Sequence, residues 1–273
     1  MYNDFYQLAE NPFNVTADPD FFFASNRHQE AFAHLIYGIQ HRKGILAVTG
    51  EIGTGKTTLC RMLLNRLGHD VKTALILNPY FSETQLLKLI LADLGIEGKF
   101  KNKLELIEGL NQFLLEHSIK GNNVAVIIDE AQNLNARQLE QIRLLSNLET
   151  QKDKLLQIIL VGQPELLEKL RLSSLRQLDQ RISVRFHIQP LERSEIEGYI
   201  HHRIRVASRT EDGHIPVQFS PDAVEMIYKH SRGTPRLINI LCDRALLAGY
   251  VKEARHIDAH TIEQCALEVK NLS

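Results

Sequence analysis

The sequence predicts an α/β fold: a doubly wound parallel sheet that carries a phosphate-binding loop, followed by a smaller all-helical lid domain. Three observations lead there. Short apolar runs alternate with amphipathic helical stretches as far as Pro190, a glycine-rich turn joins the first run to a helix, and beyond Pro190 the pattern is helical with no convincing strand. Continuous hydrophobic runs are the signature of strands buried on both faces, as in parallel sheets covered by helices on either side.

Composition narrows the class. Of 273 residues 44% are hydrophobic and 24% charged, which is ordinary globular usage and excludes disordered and fibrous chains. No apolar run approaches the roughly 20 residues a membrane helix needs; residues 124–128 are typical of the longest. The N-terminus carries Asp4 and Glu10 without a basic-then-apolar leader pattern. Cys60, Cys242 and Cys265 are odd in number and widely spaced, which points to a reducing, cytoplasmic setting. With 32 basic and 33 acidic residues, a net charge of −1 argues against bulk electrostatic binding to nucleic acid and leaves room only for a local basic face.

In chain order, residues 1–43 form an N-terminal segment expected to pack on the domain that follows. It contains Asn11-Pro12-Phe13, Asp20-Phe21-Phe22-Phe23 and a helix over 27–41, whose Phe32, Leu35, Ile36 and Ile39 recur at three- and four-residue steps. Residues 44–192 form the α/β domain, with strands over 45–48, 73–77, 124–128, 155–161 and 184–188 and helices over 57–67, 83–94 and 103–117. Residues 193–273 form the helical domain, with helices over 194–208, 220–231, 235–251 and 258–269 and with Ser194, Ser220 and Asp258 placed as caps or cap neighbours.

Gly50-Glu51-Ile52-Gly53-Thr54-Gly55-Lys56-Thr57 satisfies G-x-x-x-x-G-K-[ST] between an apolar strand and a helix, the context that a P-loop requires. The glycines let backbone N–H groups converge on phosphate oxygens, and the helix N-terminus adds free donors and a partial positive charge. Lys56 is expected to reach the β- and γ-phosphates, and Thr57 to ligate Mg²⁺.

Further along, Val124-Ala125-Val126-Ile127-Ile128 runs into Asp129-Glu130, placing two acids at the carboxyl end of a buried strand, where open α/β sheets bind ligands. Asp129 is expected in the Mg²⁺ shell and Glu130 as the group that polarises the attacking water, since phosphoryl transfer depends on positioning, charge stabilisation and an oriented nucleophile.

These motifs resemble the AAA+ ATPases, and specifically the ExeA/GspA family. The resemblance runs through Asn11-Pro12-Phe13 with Asp18-Pro19-Asp20, Thr49-Gly50-Glu51-Ile52-Gly53-Thr54-Gly55-Lys56-Thr57-Thr58, Asp129-Glu130-Ala131-Gln132, Gly162-Gln163-Pro164-Glu165-Leu166 and Gly233-Thr234-Pro235-Arg236. It implies ATP binding and hydrolysis with Mg²⁺ in a homo-oligomer, each nucleotide lying at a subunit interface, with Thr58 completing the nucleotide-binding phrase. Gln163 falls where the family places its sensor 1 polar residue, and Arg236 at the sensor 2 arginine that contacts phosphate.

The family carries its trans-acting arginine finger in the region of 168–185, where Lys169, Arg171, Arg176, Arg181 and Arg185 against Glu168 and Asp179 give a local charge of +3. Arg181 is the first candidate, Arg185 the second and Arg176 the third; such a charge contributes roughly 10³ to 10⁵ in rate in related nucleotidases.

The function that the resemblance implies is an ATPase driving or regulating assembly of an envelope secretion or pilus complex. Full-length relatives continue into a transmembrane helix and a periplasmic peptidoglycan-binding region. This sequence ends before either, which implies a cytoplasmic portion of such a protein, associated with the inner membrane through a further region or a partner, or a stand-alone relative. The alternative is an ATP-gated, DNA-binding transposition regulator of the TniB/TnsC type, which shares the DEAQ-like and GTPR-like phrases. Other features point to no chemistry. His201 and His202 lack partners at metal spacing, Cys60 and Cys242 fall on apolar helix faces, Phe21-Phe22-Phe23 reads as core ahead of a docking or adenine-proximal element, and no G-x-S-x-G turn is present.

Overall fold

A computed structural model describes residues 1–209 and 216–270, so part of the expected helical domain, residues 210–215 and 271–273, lies outside the described residues. The described helices in chain order are α1 (Tyr2–Phe5), α2 (Asn26–Gln40), α3 (Lys56–Arg66), α4 (Glu83–Asp93), α5 (Lys103–Ile119), α6 (Ala136–Leu145), α7 (Glu165–Leu170), α8 (Arg176–Asp179), α9 (Ile196–Ala207), α10 (Pro221–Ser231), α11 (Pro235–Val251) and α12 (Ala259–Lys270). The strands are β1 (Ile45–Gly50), β2 (Val71–Ile76), β3 (Asn123–Ile128), β4 (Gln157–Gly162), β5 (Ile182–Ile188), β6 (Gln218–Phe219) and β7 (His256–Ile257). Two compact units divide these elements: His28–Ile52 with Leu59–Ile188, and Met1–Arg27 with Gly53–Thr58 and Gln189–Ser273.

The first unit is built on a parallel sheet in the order β2-β3-β4-β1-β5. Every residue of β1, β3 and β4 is buried, as the continuous apolar runs require of central strands, whereas β2 and β5 alternate because they are edges. β2 starts at Val71, ahead of the expected 73–77, and β4 at Gln157, inside the expected 155–161. Helix α6 is not among the elements expected from the sequence, although its signal is local: Asn135 accepts the Gln138 N–H at 2.9 Å and the Gln138 side chain accepts the Asn135 N–H at 2.8 Å, a reciprocal capping box. Gln138, buried, also donates to the carbonyls of Pro79 and Phe81 and so fastens the loop after β2.

Register sets the site. Thr49 is level with Gly162 across β1 and β4, and Ile128 with Leu160 across β3 and β4. Because the strands are parallel, Gly50, Asp129 and Gln163 leave the same edge of the sheet.

The second unit has its own core, in which Tyr6, Leu8, Phe13 and Phe21 join Ile196, Tyr199, Ile200 and Ile204 of α9 and Ile238, Cys242 and Leu246 of α11. Residues 1–43, expected as one segment packing on the α/β domain, therefore divide: residues 1–27 share the core of the C-terminal helices, and α2 continues into the sheet unit. The physical cause is Arg203, which is only 6% exposed. It donates to the carbonyls of Pro12 at 2.6 Å and Asn14 at 2.8 Å and lies 4.6 Å over the Phe21 ring. Asn11 accepts the Phe13 N–H and donates to Asp243, which also accepts the Tyr2 hydroxyl; burial and that carboxylate together push the Tyr2 phenol pKa well above its ordinary value.

Ser220 and Asp258 cap α10 and α12 as expected. Ser194 is a cap neighbour, directly before Glu195 at the start of α9. It sits inside a single 3₁₀ turn whose entry is held by the Glu192 N–H donating to Glu195 at 2.9 Å. β6 and β7 form a two-residue parallel pair where only helices were expected; segments this short carry no period to read. His202 is half-buried against Phe23, and burial, with Arg203 and Arg205 nearby, holds its imidazole below its usual pKa. Among the described residues no helix is long and apolar enough to cross a membrane.

Candidate functional site

β1 delivers Gly50 to the sheet edge, the chain turns through an exposed Glu51 and Ile52, and α3 begins at Lys56. Gly53 and Gly55 take φ of +79° and +90°, a region closed to most side chains. A backbone alternating in this way turns successive N–H groups to one side, and the N-terminus of α3, with its partial positive charge, follows directly. Thr54 is fully buried and Lys56 is 6% exposed, while Thr57 and Thr58 are half-buried. The loop therefore has the backbone shape and donor set that fit a polyphosphate.

Gly53 is required twice over. Besides its φ, a Cβ there would stand 2.6 Å from the Cβ of Arg236. Arg236 sits in the first turn of α11, after Pro235 at the helix start, and its backbone N–H, an otherwise unbonded donor, is given to the Gly53 carbonyl at 3.2 Å. Its side chain is exposed.

At the end of β3 the Asp129 carboxylate is 2% exposed, and its oxygen accepts the Glu130 N–H at 2.9 Å. Glu130 lies at φ 52°, ψ 36°, the left-handed region that a non-glycine residue occupies at a cost of roughly 1 kcal/mol. Its Oε2 accepts two amide donors, Gln132 Nε2 at 2.5 Å and Gln163 Nε2 at 3.3 Å. The Gln163 backbone N–H donates in turn to Gln132 Oε1 at 3.0 Å. Below this turn, Lys169 Nζ donates to the carbonyls of Gln132 at 2.5 Å and Leu134 at 2.8 Å. The structure thus brings Asp129, Glu130 and Gln163 together. It adds Gln132, whose side chain has no role in the sequence reading, and Lys169, which that reading counts in a basic cluster.

That cluster is not one face. Arg181 donates to Ser146 Oγ at 3.1 Å, to the Arg143 carbonyl and to Asn147 Oδ1. Arg185 pairs with Asp179, 3.0 Å from its carboxylate and 2.5 Å from its carbonyl. Of the three finger candidates Arg176, the third, is the one that is exposed with no side-chain hydrogen bond or ion pair among the described residues.

Comparison with known proteins gives this arrangement a family. The AAA domain family matches residues 39–170. General secretion pathway protein A of Aeromonas hydrophila is 41% identical over all 273 residues of the chain, which spans 49% of that protein. The chain belongs to the AAA+ family and is GspA-like. The fold of this AAA+ chain also resembles those of solved structures. Drosophila ORC bound to DNA matches with a TM-score of 0.67 at 18% identity, covering 98% of this chain and 65% of that one. The ORC2 protein of Aeropyrum pernix, in ADPNP-ADP complexes, gives 0.64 at 18% identity over 88% and 66%. The Holliday junction branch migration motor RuvB of Thermotoga maritima gives 0.58 at 19% identity over 90% and 70%. At these identities the likeness is one of fold. The AAA+ assignment accounts for the position of the P-loop at β1 and of the acid pair at β3.

Proposed function

We propose that this AAA+ chain binds ATP with Mg²⁺ and hydrolyses it in a homo-oligomer, on the cytoplasmic side of an envelope secretion or pilus complex. The observation that carries the proposal is the P-loop backbone, left-handed at Gly53 and Gly55 and leading into α3 at a buried Lys56. In this reading the N–H groups from Gly50 to Thr58, those of Glu51, Ile52 and Thr54 included, cradle the phosphates. Lys56 bonds the β- and γ-phosphates, Thr57 and Asp129 hold Mg²⁺, Glu130 orients the water, and Gln163 and Arg236 sense the phosphate. When bound, Mg²⁺ supplies neutralisation of the phosphate charge. The match to general secretion pathway protein A over the whole chain supports the secretion assignment; the broken-up basic stretch at 168–185 gives the DNA-binding alternative no support.

Lys56→Ala tests the phosphate role. Losing one charge-assisted bond worth about 3 kcal/mol lowers ATP affinity about 100-fold by titration calorimetry. Undiminished binding would overturn it.

The oligomer reading needs an arginine acting on the neighbouring subunit's nucleotide. The free, exposed guanidinium of Arg176 supports it for this role over Arg181 and Arg185, which would first have to break contacts within their own subunit. Arg176→Ala should lower turnover by at least about tenfold while sparing ATP affinity, and mixing it with Lys56→Ala subunits should restore part of the loss. Absence of recovery in the mixture would count against action in trans.

A further inference from the structure

We infer that Gln132 is a positioning residue for the hydrolytic water: its side-chain amide sets the direction of the Glu130 carboxylate and locks it to the end of β4. The inference rests on the ATPase reading above and extends it to a residue with no assigned role. The amide has only one workable orientation. A backbone N–H can only donate, so the Gln132 atom facing the Gln163 N–H at 3.0 Å is the oxygen; the nitrogen therefore faces Glu130, at 2.5 Å from Oε2.

A glutamine does this and its isosteres do not. Glutamate offers no donor when ionised, and methionine offers neither partner. Two amides meet on the same carboxylate oxygen, since Gln163 Nε2 also reaches Oε2 at 3.3 Å, and neither donates to Oε1. The carboxylate is thereby held in one rotation, with Oε1 left to accept from a water.

The surroundings hold the clamp itself in place. Lys169 binds the Gln132 carbonyl, and the missing Cβ of Gly162 makes room, because one built there would lie 2.8 Å from Gln132 Oε1. Glu130 is already confined by its left-handed backbone, so Gln132 supplies the remaining side-chain constraint.

The test is steady-state ATP hydrolysis by the full chain, with Gln132→Met, which keeps size and length, and Gln132→Glu. Misplacing a base by a fraction of an ångström to 1 Å lowers kcat about 10- to 100-fold. Both variants should show this loss at pH 8, with KM and calorimetric ATP affinity within about twofold of wild type and thermal midpoints within a few degrees. Gln132→Glu should regain rate relative to wild type as pH falls toward 6, because the introduced carboxyl, once protonated, again offers a donor to Glu130. A kcat for Gln132→Met equal to that of a hydrolysing wild type would overturn the positioning role and leave the ATPase reading intact. ATP binding without any wild-type turnover would overturn both. Equal losses of rate, ATP affinity and thermal midpoint in both variants would mark Gln132 as structural and overturn the inference as well.

Discussion

Glu130→Gln is expected to bind ATP as well as wild type and to hydrolyse it about 10² to 10⁴ times more slowly, the range that a positioned base contributes. The substitution is close to isosteric. Its side-chain oxygen can still accept from Gln132 and Gln163, which approach Glu130 Oε2 at 2.5 and 3.3 Å, so the turn at the end of β3 keeps its hydrogen bonds. The left-handed backbone at 130 is tolerated by an amide as well as by a carboxylate. What is lost is the charge that accepts a proton from water. Nucleotide affinity by calorimetry, thermal midpoint and kcat should therefore separate, with only the last changed; a normal turnover rate would overturn the water-activating role.

Arg203→Ala is expected to destabilise the chain by roughly 4 kcal/mol, a large share of the roughly 5–15 kcal/mol that a protein has. Arg203 is 6% exposed and gives two charge-assisted hydrogen bonds to main-chain carbonyls, at 2.6 and 2.8 Å. Each is worth roughly 1.5–3 kcal/mol, and the stacked Phe21 ring adds about 1 kcal/mol. Overlap between these terms brings the total below their sum. Asn14 keeps one donor, Asn239 at 3.2 Å, whereas the Pro12 carbonyl loses the buried donor that Arg203 supplies. Urea unfolding should show a lower midpoint at an unchanged slope, and amide exchange should accelerate first in residues 1–21. Arg203→Lys should recover only part of the loss, because an ammonium lacks the rigid planar fork that reaches both carbonyls and the guanidinium plane that lies over the Phe21 ring. A change below about 1 kcal/mol would show that the aromatic packing alone holds the N-terminal segment.

How far the sequence could be read depended on how local each signal was. The three central strands were legible because burial on both faces leaves an unbroken apolar run, and the edge strands were less sharply bounded because one face of each is wet. The P-loop was legible because Gly53 and Gly55 are demanded by backbone geometry within one short turn. Asp129 and Glu130 followed from lying at a strand end. Ser194 stands beside the cap of α9 and not at it, because the Glu192–Glu195 pair holds the entry to that helix.

By itself, then, the amino-acid order determined the α/β class, the loop at 50–57 and the acid pair, all of them features written within a few consecutive residues. Only the tertiary structure decided that Gln132 faces Glu130, that Lys169 lies under the turn, and that Arg181 and Arg185 have partners while Arg176 has none among the described residues. It also decided that residues 1–27 belong with the C-terminal helices. The reason is physical: periodicity records which face of an element is buried, but the partner that a long polar side chain meets depends on which distant element packs there. Gln132 with Gln163, and Arg203 with Pro12, meet only once the chain has folded.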